Sequence, residues 1–308
     1  MPRVFSLYAR FRLHWGFIVR QKGGSAAQPA LPIPPPTTVV GFFSEPLYTA
    51  LGLTEGFKAR VSSPGGLLGG PFECSRKATL AASAAGASVA RVIGVVSSQE
   101  VSRLLSAPYK AGGGDEGYEG LVRKGKGSIE KLGRIEFLKA ISQIFPVQAV
   151  GESIAPSLEM DLVWVLDLDR LRHCLAGELG LRIEDGRLEN YLKLAAWGGI
   201  RLGSKEGLGA VVGSPKVGEV REPEIIGPGE SFKTRLYVPA RCVTPLSLEL
   251  VEKVSMWGLD YREHEFYVPG GVGTSGTLYI APPAPADMRL DGEDCRAYVI
   301  GDSLVAVG

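Results

Sequence analysis

The segment GGIRLGSKEGLGA, residues 198–210, has the composition of a loop that can bind a phosphate group. Its five glycines permit positive φ values and let backbone N–H groups approach an anion closely. Arg201 and Lys205 add positive charge, and Ser204 adds a hydroxyl donor. The order GSKE differs from the P-loop, in which Lys and then Ser or Thr follow the second glycine. The segment therefore predicts either a phosphate-binding loop or an ordinary glycine-rich turn between a helix and a strand.

Basic side chains are concentrated near the N-terminus. The first 44 residues contain five basic residues and no acidic one, whereas the whole chain has 34 basic and 33 acidic residues. Residues 3–20 alternate apolar and polar side chains, which indicates a long β-strand with one solvated face. That face contains Tyr8, Arg10, Arg12 and His14, because successive side chains of a strand point to opposite sides. We expect a locally positive surface there, on which a base could stack against Tyr8.

The region 107–134 combines glycines with basic residues, among them Arg123, Lys124 and Lys126. This composition predicts a mobile basic insertion in a compact domain. Two interpretations remain open for it: a solvated loop, and a loop that becomes ordered on RNA.

The segments around these residues follow the order βαββαβ. A helix is expected after the proline-rich stretch 23–36, with a hydroxyl of Thr37 or Thr38 as its N-cap and Gly52 at its end. Later strands are expected at 88–99, 159–169 and 207–220, and helices at 169–180 and 188–199. This order predicts an α+β protein whose residues 1–220 form a ferredoxin-like (RRM-like) βαββαβ domain with insertions. Short apolar runs between prolines predict a smaller β-rich C-terminal lobe at 221–308.

The cysteines and the apolar runs indicate which classes of protein are not expected. Cys74, Cys174, Cys242 and Cys295 are far apart and form no CxxC pair, so buried thiols are expected rather than a zinc knuckle or a disulfide framework. No cluster of His, Cys, Asp and Glu has metal-ligand spacing, and neither a metal nor another cofactor is expected. No apolar run approaches the roughly 20 residues that span a bilayer, and the N-terminus does not read as a signal peptide. We therefore expect a cytoplasmic protein without a membrane partner.

Two windows resemble a known family. PIPPPTTVVGFF (32–43), which follows a basic strand, and GGIRLGSKEGLGAVV (198–212), between the last helix and the last strand, are similar to the fifth CRISPR-associated (Cas) protein family, particularly its archaeal type I-A branch. The similarity covers the fold order over most of residues 1–220, while its specific motifs occupy only these windows. It implies a RAMP-superfamily subunit of the Cascade surveillance complex that caps the 5′ handle of the CRISPR RNA.

The resemblance also implies which residues contact RNA and which partners are present. It places Gly203 to Gly207 in the glycine-rich loop of the family and Pro34 to Thr38 in its Pro-Thr helix start. The expected partners are the CRISPR RNA handle, the Cascade backbone (Cas family 7) and large subunits, and target DNA through the assembled complex. Together with the basic strand and insertion, the residues expected to bind RNA are Tyr8, Arg10, Arg12, His14, Arg20, Lys22, Thr37, Thr38, Arg123, Lys124, Lys126, Arg201, Gly203, Ser204, Lys205, Glu206 and Gly207.

Catalysis is not expected. Some members of the same family cleave precursor RNA without metal, which requires a general base such as His or Lys. The processing branch pairs a Tyr with an adjacent Lys-His dipeptide, and this chain contains no Lys-His. His173 is expected to be structural and His264 to be solvated. His14, with Lys205 or Tyr8, leaves a metal-independent endoribonuclease as the alternative, and a structural protein with the same scaffold as a third hypothesis.

Overall fold

The computed structural model divides the chain into two compact units. The larger consists of Met1–Gln21, Ala30–Arg91 and Ser153–Gly308, and the smaller of Lys22–Pro29 and Val92–Glu152. The structure describes residues 3–14, 16–17, 19, 27–28, 31, 33–53, 71–86, 89–93, 149–154, 159–203, 207–247, 251–272, 278–280, 284–301 and 304–308.

The elements of the described residues as far as 219 are eight strands and four helices. The strands are β1 (Val4–Leu13), β2 (Gly16–Phe17), β3 (Ala27–Gln28), β4 (Thr79–Ala85), β5 (Val89–Ile93), β6 (Ala149–Ile154), β7 (Glu159–Asp167) and β8 (Gly209–Glu219). The helices are α1 (Pro36–Ala50), α2 (Pro71–Ala78), α3 (Leu168–Leu179) and α4 (Asp185–Gly198). Among the helices described, none is long and apolar enough to cross a membrane.

A four-stranded antiparallel sheet carries the fold, with the strand order β4-β7-β1-β8. The first and third strands of a βαββαβ unit, β1 and β7, lie in its centre, and the second and fourth, β4 and β8, lie at its edges. This is the arrangement of a ferredoxin-like domain, and it confirms the predicted α+β class.

The alternation in β1 separates a buried face from a solvated one. Phe5, Leu7, Phe11 and Leu13 lie in the main hydrophobic core together with apolar residues of all four helices. Strand β1 ends at Leu13, so it is shorter than the strand predicted over residues 3–20. The separate strand β2 begins at Gly16, whose φ is 150°.

Helix α1 begins at Pro36, and its N-cap residue Pro35 makes no side-chain hydrogen bond. The prediction that Thr37 or Thr38 caps the helix is therefore wrong, because both residues lie inside the first turn. Proline suits the first helical position, since its missing N–H would have no partner within the helix. The predicted end is confirmed by Gly52, which follows the last turn at φ +73°.

Helices α3 and α4 agree with their sequence patterns. The Asp167 carboxylate caps α3 by accepting a hydrogen bond from the Arg170 amide at 3.0 Å, and Gly180 ends that helix in the left-handed region. Helical spacing predicts a stripe of five residues on α4, of which Leu188, Leu192, Ala195 and Ala196 are buried and Tyr191 is only partly buried.

The second strand of the unit differs from the prediction. The strand expected at 88–99 is not part of the four-stranded sheet, because β5 pairs instead with a strand of the C-terminal segment (221–308). The position is taken by β4, whose sequence TLAASAA has a low intrinsic preference for strands. Small side chains are required there because Ala82 and Ala84 face the main core while Ala81 and Ala85 contact a second cluster on the opposite face.

The described residues of the C-terminal segment, 221–308, form mainly short strands. They are β9 (Ile225–Ile226), β10 (Ser231–Thr234), β11 (Val238–Pro239), β12 (Val243–Pro245), β13 (Val251–Trp257), β14 (Glu263–Pro269), β15 (Gly271–Val272), β16 (Leu278–Ile280), β17 (Ala286–Leu290), β18 (Ala297–Gly301) and β19 (Leu304–Val307). They form three-stranded sheets with the orders β10-β17-β12, β11-β14-β13 and β19-β18-β9, and β16 also pairs with β5.

Two disulfides overturn the expectation of buried thiols. Cys74 on α2 is bonded to Cys174 on α3, with their Cα atoms 5.4 Å apart, and Cys242 is bonded to Cys295. The first pair is separated by 100 residues, so only the packing of α2 against α3 brings the two sulfurs together. Spacing along the chain therefore could not predict the pairing.

Replacing Cys74 and Cys174 with alanine should lower the free energy of unfolding by about 2–4 kcal/mol, because the crosslink restricts the unfolded chain. Urea denaturation of the oxidised proteins, followed by circular dichroism, measures the difference. The reduced wild type, which has lost both disulfides, should be less stable than the oxidised double variant, which keeps Cys242–Cys295. Four free thiols in the denatured, unreduced wild type would contradict the two disulfides.

Candidate nucleic-acid interface

The glycine-rich segment forms a hairpin between α4 and β8. The Leu202 amide donates a hydrogen bond to the Gly207 carbonyl at 2.7 Å, and the Gly209 amide donates to the Ile200 carbonyl at 3.1 Å. Arg201 pairs with Leu208 across the stem. The Leu202 side chain is fully buried, which anchors the hairpin to the core.

Close packing explains three glycines of this segment. A Cβ atom at Gly199 would lie 2.1 Å from the Phe42 ring, and one at Gly207 would lie 1.9 Å from the Leu202 carbonyl oxygen. A Cβ atom at Gly209 would lie 2.2 Å from the Arg12 carbonyl oxygen. These glycines are therefore required by packing before any ligand is considered.

Gly203 is the last described residue before the turn of the hairpin. Gly203 is exposed and has a φ of +77°, a conformation that favours glycine. Ser204, Lys205 and Glu206, which are expected to bind RNA, lie outside the described residues.

The hairpin packs against the end of β1. The His14 amide donates a hydrogen bond to the Leu208 carbonyl at 3.0 Å. The Arg201 side chain is exposed, and its Nη2 atom lies 3.4 Å from both carboxylate oxygens of Glu45. The structure thus brings together two regions that are far apart in the sequence: the glycine-rich loop and the end of the first strand.

The cations on the outer face of β1 are paired with carboxylates on β7. Arg10 donates to Asp161 at 2.9 Å, and Arg12 donates to Glu159. The locally positive surface expected from β1 alone is therefore partly neutralised. Both arginine side chains are about half exposed, at 48% and 52%, so each pair stabilises the protein little.

Tyr8 belongs to the same network. Its hydroxyl donates a hydrogen bond to Asp161 at 2.8 Å. Burial, and then the hydrogen bond and charge of Asp161, raise the pKa of Tyr8 to about 12. The phenol therefore keeps its proton at neutral pH.

The C-terminal segment (221–308) covers one end of the outer face of the sheet, which is the face opposite the helices. Val163 and Val165 of β7 pack there against Leu236, Tyr298 and Ala306. The end that carries Arg10 and Arg12 stays exposed. Only part of the outer face is therefore open to a ligand.

The other predicted RNA-binding residues are scattered. His14 is exposed, and Thr37 and Thr38 are half-buried in the first turn of α1. The remaining ones lie outside the described residues: Arg20, Lys22, Arg123, Lys124 and Lys126.

The three histidines lie at different elements: His14 follows β1, His173 lies on α3, and His264 lies on β14. His173 bonds through Nδ1 to the Asp169 carbonyl, which agrees with a structural role. His264 is half-buried and bonds through Nε2 to the Asp260 carboxylate at 2.8 Å, closing the turn between β13 and β14, so it is more than a solvated side chain. Burial alone would raise the pKa of Asp260, but the hydrogen bonds from His264 and the Arg262 amide lower it.

Among the described residues, one group has the spacing of metal ligands. Cys74, Cys174 and Glu178 have ligand atoms within 4.8 Å of one another. Both sulfurs are joined in a disulfide, so they are not thiolates that could bind a metal.

A groove of about 730 Å³ lies between β4 and β14. Arg241, Lys253 and Arg76 line it together with the acidic residues Asp260, Glu263 and Glu265. Because both signs of charge are present, this groove is a poorer match for a polyanion than the hairpin and the open end of β1.

Sequence reasoning missed two features of the interface. Glu159 and Asp161 alternate along β7 and so share a face, a signal that predicts carboxylates beside the basic strand once the two strands pair. Leu194 and Trp197 fall outside the apolar stripe of α4 and are exposed.

No protein-family model matches the chain, and the curated proteins include no match to it. Among solved structures, the chain is similar to a crystal structure of a CRISPR protein from Archaeoglobus fulgidus, with a TM-score of 0.51 and 18% sequence identity over 99% of this chain and 98% of that one. The similarity shows a shared fold. A cryo-EM structure of the Type III-B Cmr-beta bound to cognate target RNA and AMPPnP has 11% identity over 92% of this chain and 86% of that one, but its TM-score of 0.28 carries no argument.

Replacing Gly207 with alanine should lower the free energy of unfolding by about 1–3 kcal/mol, because the new Cβ atom would clash with the Leu202 backbone inside the hairpin. Gly218→Ala on β8 is the matched control, since no atom lies within 4 Å of its Cβ position. Urea denaturation of both variants measures the effect. Equal stability of the two would contradict the observed hairpin.

Proposed function

We propose that this protein is a non-catalytic CRISPR RNA-binding subunit of a type I-A Cascade complex. In this role it caps the 5′ handle of the CRISPR RNA and contacts the backbone and large subunits, and it meets target DNA only through the assembled complex. The observation that carries the proposal is the anchored hairpin at the end of β1, which places Arg201 and the exposed Gly203 beside the open end of a ferredoxin-like sheet.

The hairpin and β1 can divide the work of RNA binding. The exposed Gly203 and the Arg201 side chain on the stem are offered to phosphates, as the residues of a glycine-rich turn are for anions. The anchored stem of the hairpin reduces the conformational entropy that is lost on binding. Arg10 and Arg12 each have further N–H groups beyond those that bind Asp161 and Glu159, so they can also contact a phosphate.

The shared fold with a CRISPR protein of an archaeon supports this setting. The two disulfides fit a cytoplasmic archaeal protein, because intracellular proteins of hyperthermophilic archaea are unusually rich in disulfides. The proposed function needs no cofactor.

Replacing Arg201 and Lys205 together with alanine should weaken binding of handle RNA by about 10- to 100-fold, because two charged contacts to phosphate are lost. The slope of log K against log salt should fall by about 1.4, since each contact to single-stranded nucleic acid contributes roughly 0.7. Fluorescence anisotropy with labelled handle RNA across a salt series measures both.

The matched control is Lys233→Ala/Arg289→Ala, which removes two cations of the C-terminal segment, on β10 and β17. This control should bind like the wild type. Equal affinity of the Arg201→Ala/Lys205→Ala variant and the wild type for handle and scrambled RNA would count against the proposal.

The absence of catalysis is part of the proposal. The Tyr8 proton is bound to Asp161, and within the described ranges no side-chain hydrogen bond is found for His14. The Tyr8 phenol therefore keeps its proton at neutral pH, and His14 has no described side chain that would orient it as a base.

Pure protein incubated with CRISPR repeat RNA in EDTA should leave the RNA intact, as a denaturing gel would show. A single defined cut that is lost in His14→Ala would support the endoribonuclease alternative instead. Tyr8→Phe serves as a further control, because it removes the only other described group considered for that site.

A further inference from the structure

Helix α4 and the hairpin stem expose an unusual set of apolar side chains. Trp197 is 55% exposed, although tryptophan is one of the more highly buried residue types on average. Leu194, Ile200 and Leu208 are 57%, 65% and 50% exposed. These residues surround Arg201 in the sequence, so the apolar surface continues into the proposed RNA-binding loop.

The charges of α4 are distributed unevenly around the helix. Both of its acidic residues are neutralised by arginines: Arg3 donates to Asp185 at 2.7 Å and to Glu189 at 2.8 Å, and Arg172 also bonds Asp185. The cations Arg187 and Lys193 are exposed, and no acidic partner is found for Lys193 in the described part of the chain.

The exposed residues of α4 share one face. Each residue of this face is three or four positions from another, and the face lies opposite the buried stripe. Its residues are Arg187, Asn190, Lys193, Leu194 and Trp197. We call this face, together with Arg201, the outer α4 surface. It contains cations, an amide and an indole ring, and its acidic neighbours on the helix are already engaged.

We propose that the outer α4 surface binds a single-stranded segment of RNA next to the loop, with one base stacked on Trp197 and phosphates on Lys193 and Arg201. This inference rests on the proposed function. Charge complementarity favours RNA as the occupant, because Lys193 has no acidic partner among the described residues and Arg201 keeps further N–H groups beyond its contact with Glu45. The indole ring of Trp197 matches a base of any sequence. Tyr8 cannot serve equally well as the stacking platform, since its ring is half-buried and its hydroxyl is bound to Asp161.

The test measures the affinity of the full chain for labelled handle RNA by fluorescence anisotropy. Trp197→Leu keeps an apolar side chain but removes the ring, and it should weaken binding by about 5- to 150-fold, the range measured for base stacking on aromatic residues. Trp197→Phe should keep most of the affinity. The matched control is Leu246→Ala, which removes an exposed leucine of the C-terminal segment, outside α4, and should bind like the wild type.

A series of RNAs with single abasic nucleotides locates the stacked base. At one position the loss caused by Trp197→Leu should disappear, because no base remains to stack. Lys193→Ala should reduce the salt slope by about 0.7, as expected for one lost phosphate contact.

The outcomes separate this inference from the proposed function. Wild-type affinity in Trp197→Leu, with weakened binding in Arg201→Ala/Lys205→Ala, would overturn the inference alone. Absence of RNA binding by the wild type would overturn both. If Trp197→Leu and Leu194→Ala bind RNA normally but fail to assemble with Cascade subunits, the surface is a protein interface and the inference is wrong.

Discussion

Burial of the inner face of β1 is the interaction on which the rest of the structure depends. Phe5, Leu7, Phe11 and Leu13 join the helices to the centre of the sheet, and both neighbours of β1 pair with it along most of its length. The same burial fixes the direction of the outward side chains. The hairpin at 200–209 is then anchored against the end of this strand, so core packing sets the position of the loop.

Pairing between strands changes the electrostatics that a single strand suggests. The cations of β1 meet Asp161 and Glu159 on β7, whereas on α4 it is the acidic residues that are engaged, by Arg3 and Arg172. Among the described residues, the cations of the first strand and Arg201 are therefore paired with carboxylates, whereas Lys193 on the outer face of α4 has no acidic partner. A search for a polyanion site must consider which charges remain after intramolecular pairing.

The C-terminal segment (221–308) and the disulfides further restrict the surface of the sheet that a ligand can reach. Leu236, Tyr298 and Ala306 cover one end of the outer face of the sheet, which in an isolated ferredoxin-like domain would be open. The Cys74–Cys174 bond holds α2 against α3 on the opposite side. A ligand of the sheet is thus confined to the end where the hairpin lies, and this convergence is the basis of the proposed RNA-binding role.

The α+β class, the helices α1, α3 and α4, and the strands β1, β7 and β8 follow from the sequence, because the periodicity of side chains indicates which face of an element is buried. The sequence also predicts that the glycine-rich loop and the basic strand bind RNA, and this stays a prediction. It does not reveal the strand TLAASAA, the disulfide partners, or the carboxylates opposite Arg10 and Arg12, since each depends on contacts between distant segments. Local pattern thus determined the elements and their faces, whereas only tertiary packing decided which charges stay free, because neutralisation requires two side chains to meet in space.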